Sequence, residues 1–130
     1  SYVGKIGFEQ NLNLEIPGCI FHYIIVHELM HALGFAHEHV RIDRDFYITI
    51  HWENIAKKNK ELFEKMTDEE GFDVEYDYDS ILHYAPDAFS CNGQPTFSSI
   101  SPDGANAGFA EHLSEKDILK INRMYPRSYK

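Results

Sequence analysis

Four histidines and two glutamates fall within thirteen positions, HELMHALGFAHEH from His27 to His39, in a stretch whose other residues are mostly apolar. On a helix, His27 and His31 lie one turn apart on the same face, so both can point a ring nitrogen at one ion. Gly34 permits a left-handed backbone that turns the chain back, and His37 follows three residues later. Three histidines around Zn²⁺ leave a position open for water, the arrangement of a catalytic site; a structural site closes with four protein ligands.

Glu28 is adjacent to His27 and is not placed to be its co-ligand. It is placed near the open side of the metal, where a carboxylate can take a proton from water whose pKa zinc lowers to about 7. The hydroxide so formed can attack a peptide carbonyl polarised by the metal, and Glu28 can pass the proton to the leaving amine. A lone HExxH arises by chance often enough to mean little; the glycine and third histidine in register make metal binding the better explanation. His22, His39, His51, His83 and His112 lack ligand spacing and read as ordinary partly buried or surface imidazoles.

The elements that must position this cluster follow from the patterning. YVGKIG (Tyr2 to Gly7) and LNLEI (Leu12 to Ile16) alternate as two short strands do, and Pro17-Gly18 breaks the chain. From Ile20 to Leu33, Ile24, Ile25, Leu29, Ala32 and Leu33 follow helical spacing, with Gly34 as the stop. FYITI (Phe46 to Ile50) is predicted as a strand or extended link. Asn54 to Met66 is predicted as an amphipathic helix with Ile55, Leu62 and Phe63 inward. Asp73, Glu75, Asp77 and Asp79 alternate but lack the sixth-position glycine and terminal glutamate of an EF-hand, so a solvated acidic loop is expected. Residues 87–108, rich in Gly, Ser, Pro and Asn, read as mostly loop. Ser114-x-x-Asp117 caps a closing helix bearing Ile118, Leu119, Ile121, Met124 and Tyr125.

With 130 residues, the chain is one domain at most. Its 21 acidic against 12 basic residues give a formal charge of −9, a surface that repels phosphate backbones and anionic headgroups, so neither nucleic acid nor membrane is an expected partner. The longest apolar run, around Cys19 to Val26, is far short of the ~20 residues that span a bilayer. Ser1 in place of an initiator Met is expected of a processed product or an excised piece. Cys19 and Cys91 have no CxxC spacing; they pair with each other or have partners outside the chain.

The run HELMHALGFAHEHVRIDRD, His27 to Asp45, resembles the astacin family of metzincin zinc endopeptidases, matching HExxHxxGFxHExxRxDRD at every fixed position. The resemblance extends from SYVGKIG at Ser1 through Gly18-Cys19, FYITI, ENI, YDYDSILHY and AFS to LSEKDILKIN. It implies an α+β, metzincin-like zincin fold with a partial sheet, a zinc-binding active-site helix and a C-terminal helix, the cleft lying between the sheet and a helical lower half. Residues 1–130 would be part of one peptidase domain, with further strands and a long helix preceding residue 1. His27, His31 and His37 would bind one Zn²⁺ and Glu28 would be the base. Tyr84 would be a displaceable further ligand that swings to the developing oxyanion. The resemblance also implies secretion, a protein or peptide substrate, and a zymogen whose propeptide is removed.

Departures from the family pattern carry expectations of their own. Leu82 stands where the family has the methionine packed under the histidines, a swap of similar volume that usually costs less than ~1.5 kcal/mol. With the upstream half absent, core is expected to be exposed. Family resemblance pairs Cys19 with a cysteine that would precede Ser1, and gives Cys91 no counterpart. It makes Glu38 the partner of a mature N-terminus that is also absent. Registering on Leu113-Ser114 places Ala110 where some members carry a specificity arginine, which favours small or apolar substrate residues over acidic ones. Two other functions compete with a peptidase: a catalytically inactive zinc-binding module, and a zinc hydrolase of non-peptide substrates. Glu28 and Tyr84 argue against the module, since neither is needed merely to hold a metal.

Overall fold

The computed structural model describes residues 1–67 and 73–126, an α+β arrangement of two α-helices, a two-stranded sheet and several 3-10 turns. Helix α1 spans His22–Ala32. It ends as its sequence predicts: Gly34 takes φ +108°, its N–H donates to the His31 carbonyl at 2.9 Å, and the Phe35 N–H donates to the Met30 carbonyl at 3.1 Å. This is a Schellman ending, completed by contact of Met30 with Phe35 in the core. The chain is thereby folded back under α1, and His37 arrives beside His27 and His31.

Strand β1, Ile48–Ile50, runs antiparallel to β2, Phe97–Ser99, with Ile48 opposite Ser99 and Ile50 opposite Phe97. Ile48 and Phe97 are buried with Tyr76 and Ala107 in one apolar cluster; Met30, Phe35, Ile81 and Leu82 form the other. Helix α2, Glu115–Met124, carries the predicted capping box at Ser114 and Asp117 and packs Ile121 and Met124 on the second cluster.

Several expectations are corrected. Tyr2–Gly7 and Leu12–Ile16 are not strands: the Glu15 carbonyl accepts from the Cys19 N–H at 2.7 Å in a turn, and the polar groups of the first stretch are taken up elsewhere. The Gly4 N–H donates to the His31 carbonyl at 2.8 Å, and the Gln10 side chain bonds both the Ile6 N–H and the Gly4 carbonyl, each at 3.1 Å. Tyr2, Val3, Ile6, Phe8 and Ile16 are exposed. Asn54 to Met66 is no α-helix. Ile55 is drawn into a bridge with Ser90, Lys57–Phe63 is a 3-10 turn, and His39 and Arg44 bond the Leu62 and Phe63 carbonyls in place of following amides. Phe63 is buried as predicted, whereas Leu62 is exposed.

The stretch from residue 87 to 108 is mostly loop, as expected, and contains the short β2 and a 3-10 turn, Pro102–Asn106. In the acidic run, Asp73, Glu75 and Asp79 face solvent but Asp77 is buried, accepting from the Ser114 hydroxyl. On α2, Ile118 and Leu119 are exposed while Asp117 and Lys120 are buried. Cys19 and Cys91 are both free thiols, so they do not pair with each other. The tail after Pro126 lies outside the described residues.

Candidate active site

His27, His31 and His37 converge. Their Nε2 atoms lie 3.0 Å (His27 to His31), 3.1 Å (His31 to His37) and 3.2 Å (His27 to His37) apart. The opposite nitrogens of His27 and His31 show why their approach is not a hydrogen bond. His27 Nδ1 donates to the Ile81 carbonyl at 2.7 Å and His31 Nδ1 to the Phe35 carbonyl at 2.8 Å. A carbonyl only accepts, so each ring carries its proton on Nδ1 and presents a lone pair at Nε2. Lone pairs aimed at one point repel unless a cation lies between them. A tetrahedral zinc with bonds of about 2.0–2.1 Å holds its nitrogens about 3.3 Å apart, close to the spacing seen. The residues therefore fit a zinc ion. Burial lowers the pKa of His31, and burial with the neighbouring imidazoles lowers that of His37 to about 2, which keeps both rings in the neutral form a metal needs.

Glu28 sits at the edge of this cluster, half-buried, and its carboxylate accepts from the Ser1 amino nitrogen. Tyr84 lies on the other side, its ring 4.4 Å from that of His37 and stacked on His39 at 3.9 Å and 26°. Burial raises its pKa, so the phenol stays protonated. Leu82 is buried in the cluster with Met30, Phe35 and Ile81, and its carbonyl accepts from the Glu38 N–H at 3.1 Å.

Other residues near the site go beyond the sequence reading. Far from being ordinary, His39 and His83 are sealed from water. His83 donates through Nδ1 to the Tyr84 carbonyl at 2.9 Å and accepts through Nε2 from the Tyr76 hydroxyl at 2.7 Å. Burial lowers its pKa to about 4. Asp117, recognisable only as a helix cap, also binds the Ser80 hydroxyl at 2.7 Å and the Ile81 N–H at 2.9 Å, which ties the turn bearing Tyr84 to α2. At Gly108, φ is +83° and an added Cβ would lie 2.1 Å from the Tyr84 carbonyl oxygen, so only glycine fits.

Glu38, for which the family resemblance predicts a terminal amine, is filled from within the chain. It accepts from Lys120 Nζ at 2.6 Å, Arg41 at 3.0 Å and the Asp77 N–H at 2.9 Å. Burial raises its pKa against the pull of both cations. Nothing local in the sequence marks Lys120, which reads as one more polar position on an amphipathic helix.

Comparison with known proteins agrees with this geometry. The family profile described as Astacin, a peptidase family, matches residues 1–126. Zinc metalloproteinase nas-13 of Caenorhabditis elegans is 48% identical over 96% of the chain and 28% of its own length. Low choriolytic enzyme of Oryzias latipes is 43% identical over 96% of the chain and 46% of its own length. The chain thus spans less than half the length of these curated relatives. The solved structure of high choriolytic enzyme 1, a hatching enzyme zinc-protease from the same fish, superposes with a TM-score of 0.90 at 40% identity, over 98% of this chain and 64% of that one.

Proposed function

The chain belongs to the astacin family of peptidases, and on that footing we propose that it acts as a secreted zinc-dependent endopeptidase hydrolysing internal bonds of proteins and peptides. The observation that carries this reading is the convergence of the His27, His31 and His37 Nε2 atoms within 3.2 Å of one another, those of His27 and His31 free of protons, with the half-buried Glu28 beside them.

His27, His31 and His37 hold the metal, with Tyr84 as a displaceable further ligand. Bound zinc supplies Lewis acidity, bringing a water toward a pKa of about 7 and polarising a carbonyl. Glu28 accepts the proton as water adds to the carbonyl carbon and delivers it to the amine as the C–N bond breaks. Tyr84, which would be a further ligand of the metal, would donate its phenolic hydrogen to the carbonyl oxygen as negative charge builds there. Residues 1–130 form part of one peptidase domain. Secretion is supported by relatives named as choriolytic and seminal enzymes. A propeptide in the zymogen is the expected internal partner.

The test is digestion of denatured casein by the zinc-loaded full-length protein, by the same protein after chelation, and by Glu28→Gln, with bound zinc measured in each. Cutting by the first alone supports the reading. Stoichiometric zinc without any cutting by the wild type would instead leave a zinc-binding module.

A further inference from the structure

Beside His27 and Glu28 opens a cavity of about 480 Å³ that the chemistry above does not use. Tyr23 and Ile24 from the first turn of α1, Ile81 from the turn bearing Tyr84, and Phe109 and Ala110 from the loop before α2 give it apolar walls. This volume is within the range of pockets that seat small ligands, and one long side chain fits it readily.

The charged lining is one-sided. Glu111 contributes an exposed carboxylate that no hydrogen bond or ion pair engages among the described residues, and Glu28 is the other acid. Among the described residues, no lysine or arginine lines the cavity. His83 lines it too, but both its ring nitrogens are occupied by Tyr76 and Tyr84, and it is held neutral by burial. Ala110 lines the cavity and leaves room at the wall. Glu111, the next residue, adds a charge that the expectation of small or apolar substrate residues did not include.

Walls of this kind suit a side chain with an apolar stem, and the unpaired carboxylate suits a cationic head. Lysine and arginine have both, burying their methylenes while the charge stays at a polar mouth. An aspartate or glutamate would meet the like charge of Glu111. We infer that this cavity receives a lysine or arginine of the substrate, flanking the scissile bond, and that Glu111 is the carboxylate selecting it. The inference rests on the endopeptidase reading for its setting, though the cavity can be tested without turnover.

In the first arm, the zinc-loaded full-length protein digests matched quenched peptides carrying lysine, norleucine or glutamate at each position flanking one bond. At low ionic strength, kcat/KM should favour lysine over norleucine at one of those positions. Glu111→Gln should reduce that ratio by about fivefold, the scale of a solvent-accessible ion pair, and Glu111→Lys should invert the lysine-to-glutamate order. In the second arm, calorimetry measures binding of uncleavable peptide hydroxamates bearing lysine or norleucine. A lysine preference abolished by Glu111→Gln upholds the cavity's role even if no peptide is ever cut, in which case only the endopeptidase reading falls. Equal treatment of lysine and norleucine by the wild type, or a ratio unmoved by Glu111→Gln, overturns the inference.

Discussion

Lys120, on the last helix, and Glu38, beside the third zinc-ligand candidate, form an ion pair at 2.6 Å that is closed to solvent on both sides. Their separation of 82 residues makes this a tie between α2 and the loop that carries His37. Glu38 also binds Leu82 through its backbone N–H, so one residue links α2, the turn bearing Tyr84 and the metal cluster.

Lys120→Met should therefore be far more damaging than a surface change. Removing one partner of a buried pair leaves an uncompensated charge, costing about 3–5 kcal/mol. Loosening the support of His37 should also weaken zinc binding by about 10–100-fold. Lys120→Arg should recover part of both. Urea unfolding and competitive zinc titration check this; an unchanged zinc affinity in Lys120→Met would separate the ion pair from the metal site.

Removal of zinc should lower the unfolding temperature, since without a cation the Nε2 lone pairs of His27 and His31, 3.0 Å apart, repel. At a free metal concentration of about 1,000 times the dissociation constant, the linkage is worth about 4 kcal/mol. Differential scanning calorimetry with chelator, then with zinc restored, measures it. Magnesium should not substitute, because it prefers oxygen ligands in octahedral geometry.

Gly108→Ala and Gly93→Ala form a matched pair. Both glycines have positive φ, +83° and +78°, but a Cβ at Gly93 meets nothing within 4 Å whereas one at Gly108 collides with the Tyr84 backbone. Gly93→Ala should cost about 1–2 kcal/mol from backbone strain alone. Gly108→Ala should cost more by about 1–3 kcal/mol of overpacking. If Tyr84 serves the oxyanion, kcat should fall with little change in KM. Equal stability of the two variants would contradict the close approach.

Acid should weaken the fold through His83. Its pKa lies at about 4 in the folded chain because burial disfavours the imidazolium. Its unfolded value is about 6.5, so the unfolded chain binds the proton more tightly and stability falls as pH drops from about 6.5 to about 4. The contribution lost is about 3 kcal/mol at most. His83→Gln should flatten the slope of stability against pH in that window, by urea unfolding of the metal-free protein. A slope identical to wild type would mean that His83 does not contribute to the acid sensitivity.

Leu82→Met, restoring the family's residue, should be nearly silent. Leu82 is fully packed among Met30, Phe35 and Ile81, and a swap of similar volume should change stability by less than ~1.5 kcal/mol. Zinc affinity should stay within a few-fold by the same competitive titration.

What the sequence determined by itself was local. The spacing of His27 and His31, the left-handed turn at Gly34 and the cap at Ser114 each depend on residues within one or two turns, where backbone geometry dictates which side chains can meet. The same local spacing offered His37 and Glu28, and the long motif from His27 to Asp45 added the family. Tertiary structure decided where polar groups find partners across the chain. It turned Lys120 inward because Glu38 awaited a cation, and gave Asp117 a second task at Ser80 and Ile81. Ile55 became a bridge because Ser90 lay beside it, and Tyr2–Gly7 stayed irregular because its polar groups bonded α1's end and Gln10 instead of a neighbouring strand. A strand or a buried ion pair is stable only with its partner in place, and that partner is fixed by the folded chain as a whole.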